Sequence, residues 1–203
     1  GKMPEATLRA LRSRSPSTRV FLMYGLTEAF RSTYLPPELA DLKPTSIGKA
    51  IPHAEIMVLR PDGTECGPNE PGELVHRGAL VAKGYWRDED KTRERFKPLP
   101  DRVTGLPLPE IAVFSGDLVM RDEEGFLYFV ARNDEMIKTS GYRVSPTEVE
   151  EALYTTGLVA GAVAFGIAHP QLGQSIAVVV EPAVGAGTDT DRLLGEARKQ
   201  LPA

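Results

Sequence analysis

The chain has 203 residues, 41% apolar and 26% charged, with a net charge of −4. This suits a folded chain of one domain or two small ones, and the acidic balance disfavours nucleic acid or an anionic membrane surface as partner. The single cysteine, Cys66, excludes an internal disulfide framework and a multi-cysteine zinc site and suits a reducing compartment such as the cytoplasm.

Gly1-Lys2-Met3-Pro4 carries no apolar leader, and residues 4–14 read as the end of an amphipathic helix with Leu8 and Leu11 as core positions. A short strand, Arg19 to Met23, follows and runs into Tyr24-Gly25-Leu26-Thr27-Glu28. From there to Lys43 the pattern is irregular, and Pro36-Pro37 forbids a continuous helix. Residues 45–130 read as mostly β, with strands at Glu55 to Arg60, Gly72 to His76, Leu80 to Tyr85, Ile111 to Phe114, Leu118 to Arg121 and Phe126 to Ala131. Residues 88–97 mix acids with bases and read as a solvated helix, and the prolines of 98–109 imply a loop. Asp122 to Gly125 makes a hairpin turn.

From about residue 133 the pattern alternates between helix and strand. Ser145-Pro146-Thr147-Glu148 predicts a helix start with a capping box, running to about Tyr154. Strands are expected at Leu158 to Ile167 and Ser175 to Glu181, and a helix from Asp189 to Leu201. The apolar run 158–168 is too short for the roughly 20 residues of a spanning helix. His53, His76 and His169 are scattered, which points to structural or surface roles, and no dinucleotide fingerprint, P-loop, GxSxG or HExxH motif occurs.

Three segments can carry chemistry. In Tyr24 to Glu28, glycine permits close approach of a ligand to the backbone, Thr27 can donate to a phosphate oxygen, and Glu28 is a hard oxygen ligand suited to Mg²⁺. The plain alternative is a turn. In Phe114-Ser115-Gly116-Asp117, the acid can accept hydrogen bonds from vicinal ribose hydroxyls, or can bond its own backbone in a β-turn. In residues 132–144, three cations and two acids crowd a glycine turn before a helix, which reads either as an anion-binding surface or as a solvated interdomain loop.

Taken in this order, the three segments resemble the AMP-forming acyl-CoA synthetases of the adenylate-forming superfamily. Asp117 lies 15 residues before Arg132, and Arg132 lies six before Lys138. Further matching pieces are Ser46-Ile47-Gly48-Lys49, Gly72-Glu73-Leu74, Arg77-Gly78 and Gly84-Tyr85-Trp86, so that the likeness covers nearly the whole chain. Within the family it is to the acyl-CoA ligases of exosortase-type bacterial systems. Ala131, where the family usually has glycine, and Phe114-Ser115 are mild departures.

The resemblance implies an α+β fold: residues 1–44 as the end of a large α/β domain, 45–132 as a β-rich subdomain, and 133–203 as a partial small α+β lid. It implies ATP/AMP, Mg²⁺ and coenzyme A as cofactors, a carboxylic acid as substrate, and leaves a homo-oligomer open. Tyr24, beside Gly25, would stack on adenine, Thr27 would bind phosphate and Glu28 would hold Mg²⁺. Asp117 would bind the ribose with Arg132 assisting, and Asp134 matches a hinge. Gly141 would line the pantetheine tunnel, Arg143 would approach the phosphates, and Lys138 lies near that surface. The family's phosphate loop and terminal lysine are not seen, which predicts an internal piece of a longer enzyme, inactive alone, with strands such as Ser175 to Glu181 short of partners. Two other readings are an adenylation domain loading an amino acid onto a carrier protein and a non-catalytic nucleotide-binding or interaction module.

Overall fold

The computed structural model describes residues 3, 5–99, 110–133, 135–187 and 189–199. The expected hinge at Asp134, most of the proline-rich loop and the helix end at Leu201 lie outside the described residues. The chain divides into two compact units, Gly1–Val130 and Ala131–Ala203. The architecture is the expected mixed α+β one, rich in sheet with few helices.

The first unit opens with helix α1 (Glu5–Arg14). Its Leu8 is fully buried against Leu22, Leu35 and Phe126, a contact of about 2 kcal/mol relative to an exposed leucine. Leu11, expected in the core, is 43% exposed. Strand β1 (Leu22–Leu26) begins three residues later than predicted and takes in Tyr24 and Gly25. It pairs antiparallel with β2 (Ala29–Leu35), a strand the sequence did not suggest. The inward positions of β2 include Ser32 and Thr33, both fully buried, whereas Phe30 points out at 71% exposure. The burial of β2 is therefore polar as well as apolar. Its hydroxyls are satisfied by His76 Nδ1, 2.9 Å from Ser32 Oγ, and by the Ile47 carbonyl, which accepts from Thr33 Oγ1.

Strands β3 (Ser46–Ala50), β4 (Ala54–Leu59), β5 (Gly72–Gly78), β6 (Phe96–Pro98), β7 (Ile111–Arg121) and β8 (Leu127–Arg132) complete the sheet, with helix α2 (Glu89–Arg95) leading into β6. Its order is β1-β2-β3-β8-β7-β5-β4, with β6 also on β7. Residues 80–85 form turns with isolated bridges at Val81 and Tyr85, not the predicted strand, because their backbone groups bond within turns and to Glu28. The two strands expected around Ser115 to Asp117 are one, β7, interrupted by a bulge.

His76, on β5, has no exposed surface, and its Nε2 has no hydrogen-bond partner among the described residues. Burial holds its pKa below the ordinary 6.5. Because the folded state binds this proton less well than the unfolded chain, the neutral ring contributes its full stability above pH 6.5 and loses it as pH falls from there towards the depressed folded value. His76→Leu is expected to flatten the fall in unfolding free energy, read from urea titrations between pH 7.5 and 5, by up to about 1.4 kcal/mol per pH unit. Parallel pH profiles for the two proteins would show that His76 is not the titrating group.

The second unit contains β9 (Ile137–Thr139), β10 (Tyr142–Val144), α3 (Pro146–Thr155), β11 (Val159–His169), β12 (Gly173–Pro182) and α4 (Thr190–Arg198). Ser145 sits as the N-cap residue of α3 but makes no side-chain cap bond to the helix, so the predicted capping box does not form. Pro146 at the first helical position still sets the helix start. The sheet runs β10-β9-β12-β11. Val149 and Leu153 of α3 and Leu193 and Ala197 of α4 pack on Val159, Ala162 and Ala164 of β11. β12 is not short of partners, since it lies between β9 and β11. One edge is β11, and it is guarded: Ala162 N–H donates to Tyr154 Oη (3.1 Å) and Ala164 N–H to Glu150 Oε1 (2.9 Å), both from α3. No helix among the described residues is long and apolar enough to cross a membrane.

Candidate functional site

In the first unit the candidate residues sit on the β1–β2 hairpin and on the β7 bulge. Leu26 pairs with Ala29, so Thr27 and Glu28 form a two-residue turn, and the register slips by two between Tyr24 and Leu26. Thr27 is exposed at the tip and Glu28 is half-buried beside it. Tyr24 packs on the cluster containing Ile56, Leu74 and Val119.

On β7, Phe114 pairs with Val75 and Leu118 with Glu73, so Ser115, Gly116 and Asp117 face Leu74 alone. The bulge is built by side chains: Ser115 Oγ donates to the Leu74 carbonyl (2.7 Å) and accepts from Asp117 N–H (3.0 Å), and Glu73 Oε1 accepts from Gly116 N–H (2.9 Å). Gly116 has φ +73°, and a Cβ there would lie 2.1 Å from Arg95 Nη1. The positive φ favours glycine, and any larger residue would also push the Arg95 guanidinium aside. The kink re-aims β7, and Asp117, buried at the bulge, accepts a hydrogen bond from Tyr24 Oη at 2.5 Å. Residues 93 positions apart are thereby joined.

Glu28 is held by a residue to which the sequence assigned no role. Tyr85 Oη donates to Glu28 Oε1. Burial, with the bond to Glu28, pushes the Tyr85 phenol up to about 12, so it remains a neutral donor. The ring of Tyr85 meets Phe96 edge-on at 5.6 Å, and its N–H donates to Thr92 Oγ1 (2.9 Å). Arg95, at the end of α2, lies over Gly116 and has no carboxylate partner among the described residues. Tyr85 belongs to the Gly84-Tyr85-Trp86 piece that matched the family, but its relation to Glu28, like that of Arg95 to Gly116, appears only in the folded chain.

In the second unit, Arg132 ends β8 with its Nε 3.6 Å from Glu135. Lys138 and Arg143 are direct cross-strand partners on the β9–β10 hairpin, both exposed. Like charges in that register repel. Ser140 and Gly141 form the two-residue turn, both with positive φ (51° and 85°), the geometry of a type I′ hairpin. Nothing lies within 4 Å of a Cβ built on Gly141.

A kinked strand presenting a buried carboxylate, a hairpin presenting Thr27 and Glu28, and the sequence of elements around them define an adenylate-forming fold, and comparison with known proteins agrees. Residues 1–86 match the family model of the AMP-binding enzymes. The chain is 32% identical over 88% of its length to a long-chain-fatty-acid–CoA ligase of Bacillus subtilis, of which it covers 30%. It is 32% identical over 99% of its length to a 2-succinylbenzoate–CoA ligase of Geobacillus kaustophilus, of which it covers 38%. Its fold matches that of the Bacillus subtilis o-succinylbenzoate CoA synthetase in complex with an acyl-adenylate intermediate over the whole chain and 38% of that protein, with 28% identity and a TM-score of 0.83. The chain is similar in sequence and fold to the AMP-forming acyl-CoA synthetases of the adenylate-forming superfamily, and it spans about a third of the length of the curated relatives it matches.

Proposed function

We propose that the chain is part of an acid–thiol ligase that activates a carboxylic acid with ATP as acyl-AMP and passes the acyl group to coenzyme A. The observation that carries this reading is the hydrogen bond from Tyr24 to Asp117. It unites two of the three chemistry-bearing segments, at a bulge whose hydrogen bonds serve to present that carboxylate. Asp117 accepts from the two ribose hydroxyls, assisted by Arg132. Tyr24 stacks on adenine beside Gly25, and Thr27 donates to a phosphate oxygen.

Glu28 is the residue that would hold Mg²⁺. One carboxylate fits that ion, which keeps waters and binds substrate phosphates in place of an all-protein cage. No group of three or more His, Cys, Asp or Glu among the described residues could hold a metal by itself. Bound there with the nucleotide, the ion supplies neutralisation of the phosphate charge.

In the first half-reaction a carboxylate oxygen of the acid attacks the α-phosphorus, the bond from that phosphorus to the bridging oxygen breaks, and pyrophosphate leaves. In the second the CoA thiolate attacks the acyl carbon and AMP leaves. Residues 133–203 form a small domain that turns about Asp134 between the two steps, and residues 1–44 and 45–132 are the end of a larger α/β domain and its β-rich subdomain. Lys138 and Arg143 meet phosphate oxygens, and Gly141 leaves room for the pantetheine arm.

The test is calorimetric titration of the purified 203-residue chain with AMP, followed by assay with fatty and aromatic acids, Mg²⁺-ATP and CoA. Saturable AMP binding is expected without thioester production, since the chain spans about a third of the relatives' length. No AMP binding at millimolar concentration would overturn the nucleotide reading, and robust turnover would show that 203 residues suffice.

A further inference from the structure

Resting on the nucleotide reading above, we propose that Tyr85 is a positioning residue for the metal–nucleotide site, acting only through the Glu28 carboxylate. Glu28 projects from the tip of a two-residue turn, where a glutamate side chain is otherwise free to sample rotamers. Its Oε1 accepts from Tyr85 Oη.

Tyr85 is itself fixed from three sides. Its ring packs against Phe96 in the cluster with Ala29 and Val113. Its N–H is held by Thr92 Oγ1, which donates in turn to the Asp88 carbonyl at 2.7 Å, so the first turn of α2 clamps it. The turn it terminates is tied to the hairpin by Ala82 N–H donating to the Glu28 carbonyl at 2.8 Å. The backbone and the side chain of Glu28 are therefore both held by residues 82–85. The phenol is a neutral donor, so it orients the carboxylate without cancelling its charge, and one carboxylate oxygen is left to meet a divalent cation. A hydroxyl that served only to stabilise the 80–85 turn would have no bearing on metal affinity.

The experiment uses the 203-residue chain and its Tyr85→Phe, Glu28→Ala and double variants. AMP is titrated without metal by calorimetry, and Mn²⁺-ATP is titrated with Mn²⁺ followed by electron paramagnetic resonance. Tyr85→Phe keeps the ring and is expected to leave AMP affinity and melting temperature nearly unchanged. It should weaken Mn²⁺-ATP about tenfold, the loss one hydrogen bond to a charged group produces. In the Glu28→Ala background the same change should have no further effect, because Tyr85 has nothing left to orient. Equal Mn²⁺-ATP affinity for wild type and Tyr85→Phe, or an undiminished effect in the absence of Glu28, overturns the positioning role while AMP binding keeps the nucleotide reading intact. Failure of the wild-type chain to bind AMP overturns both.

Discussion

Asp117→Ala is expected to weaken AMP binding by the chain by a factor of about 10² to 10⁴, the loss of two hydrogen bonds to a charged acceptor at about 1.5–3 kcal/mol each. Asp117 is buried at the β7 bulge, where Ser115 and Glu73 fix the backbone around it. Alanine leaves that bulge intact, since its bonds come from Ser115 Oγ and Glu73 Oε1, but removes the acceptor of the Tyr24 hydroxyl. Some loss of stability, about 1 kcal/mol, is expected from that hydroxyl alone. Asp117→Asn separates the two effects: it can still accept from Tyr24 and keeps the shape of the site but loses the charge, and should fall between wild type and alanine. Melting temperature and AMP affinity are measured together. A folded alanine variant that binds AMP as wild type does would remove Asp117 from the ribose site.

In a longer protein carrying this chain, Gly141→Leu is expected to spare acyl-adenylate formation and to lower thioester formation by about a hundredfold or more, as misplacement of reacting groups does. Gly141 sits in the β9–β10 turn at φ +85°, and a leucine there bears strain of about 1–2 kcal/mol. Because no atom lies within 4 Å of its Cβ, the hairpin accommodates the side chain, which projects outward into the path proposed for the pantetheine arm. Gly141→Ala carries the same backbone strain with little bulk and is the control. Pyrophosphate exchange and CoA-thioester yield are read in parallel. Equal damage to both half-reactions, or alanine as harmful as leucine, would make Gly141 a turn residue and nothing more.

The residue types of the site were legible in the chain, but their partners were not. Tyr24 to Glu28, Ser115 to Asp117 and residues 132–144 stood out because glycine beside acid, hydroxyl and cation is unusual chemistry within a short span, and their fixed order and spacing carried the likeness to the adenylate-forming enzymes. Strand β2 escaped notice because Ser32 and Thr33 are buried through hydrogen bonds to His76 and Ile47, so no apolar alternation marks it. The stretch 80–85 misled for the opposite reason: its apolar residues suggest a strand, but its backbone bonds go to turns and to Glu28.

By itself the sequence determined the mixed α+β class, the likeness to the adenylate-forming enzymes and the list of chemistry-bearing residues, because composition, turn residues and motif spacing are local properties of the chain. The tertiary structure alone decided that Tyr24 meets Asp117, that Tyr85 holds Glu28, and that Lys138 faces Arg143 across a hairpin. The first and last follow from strand register, which is set by the sum of core packing and backbone pairing across the sheet, and in which a slip of one residue turns every side chain to the opposite face; the second follows from the turn at 80–85 bonding to the hairpin.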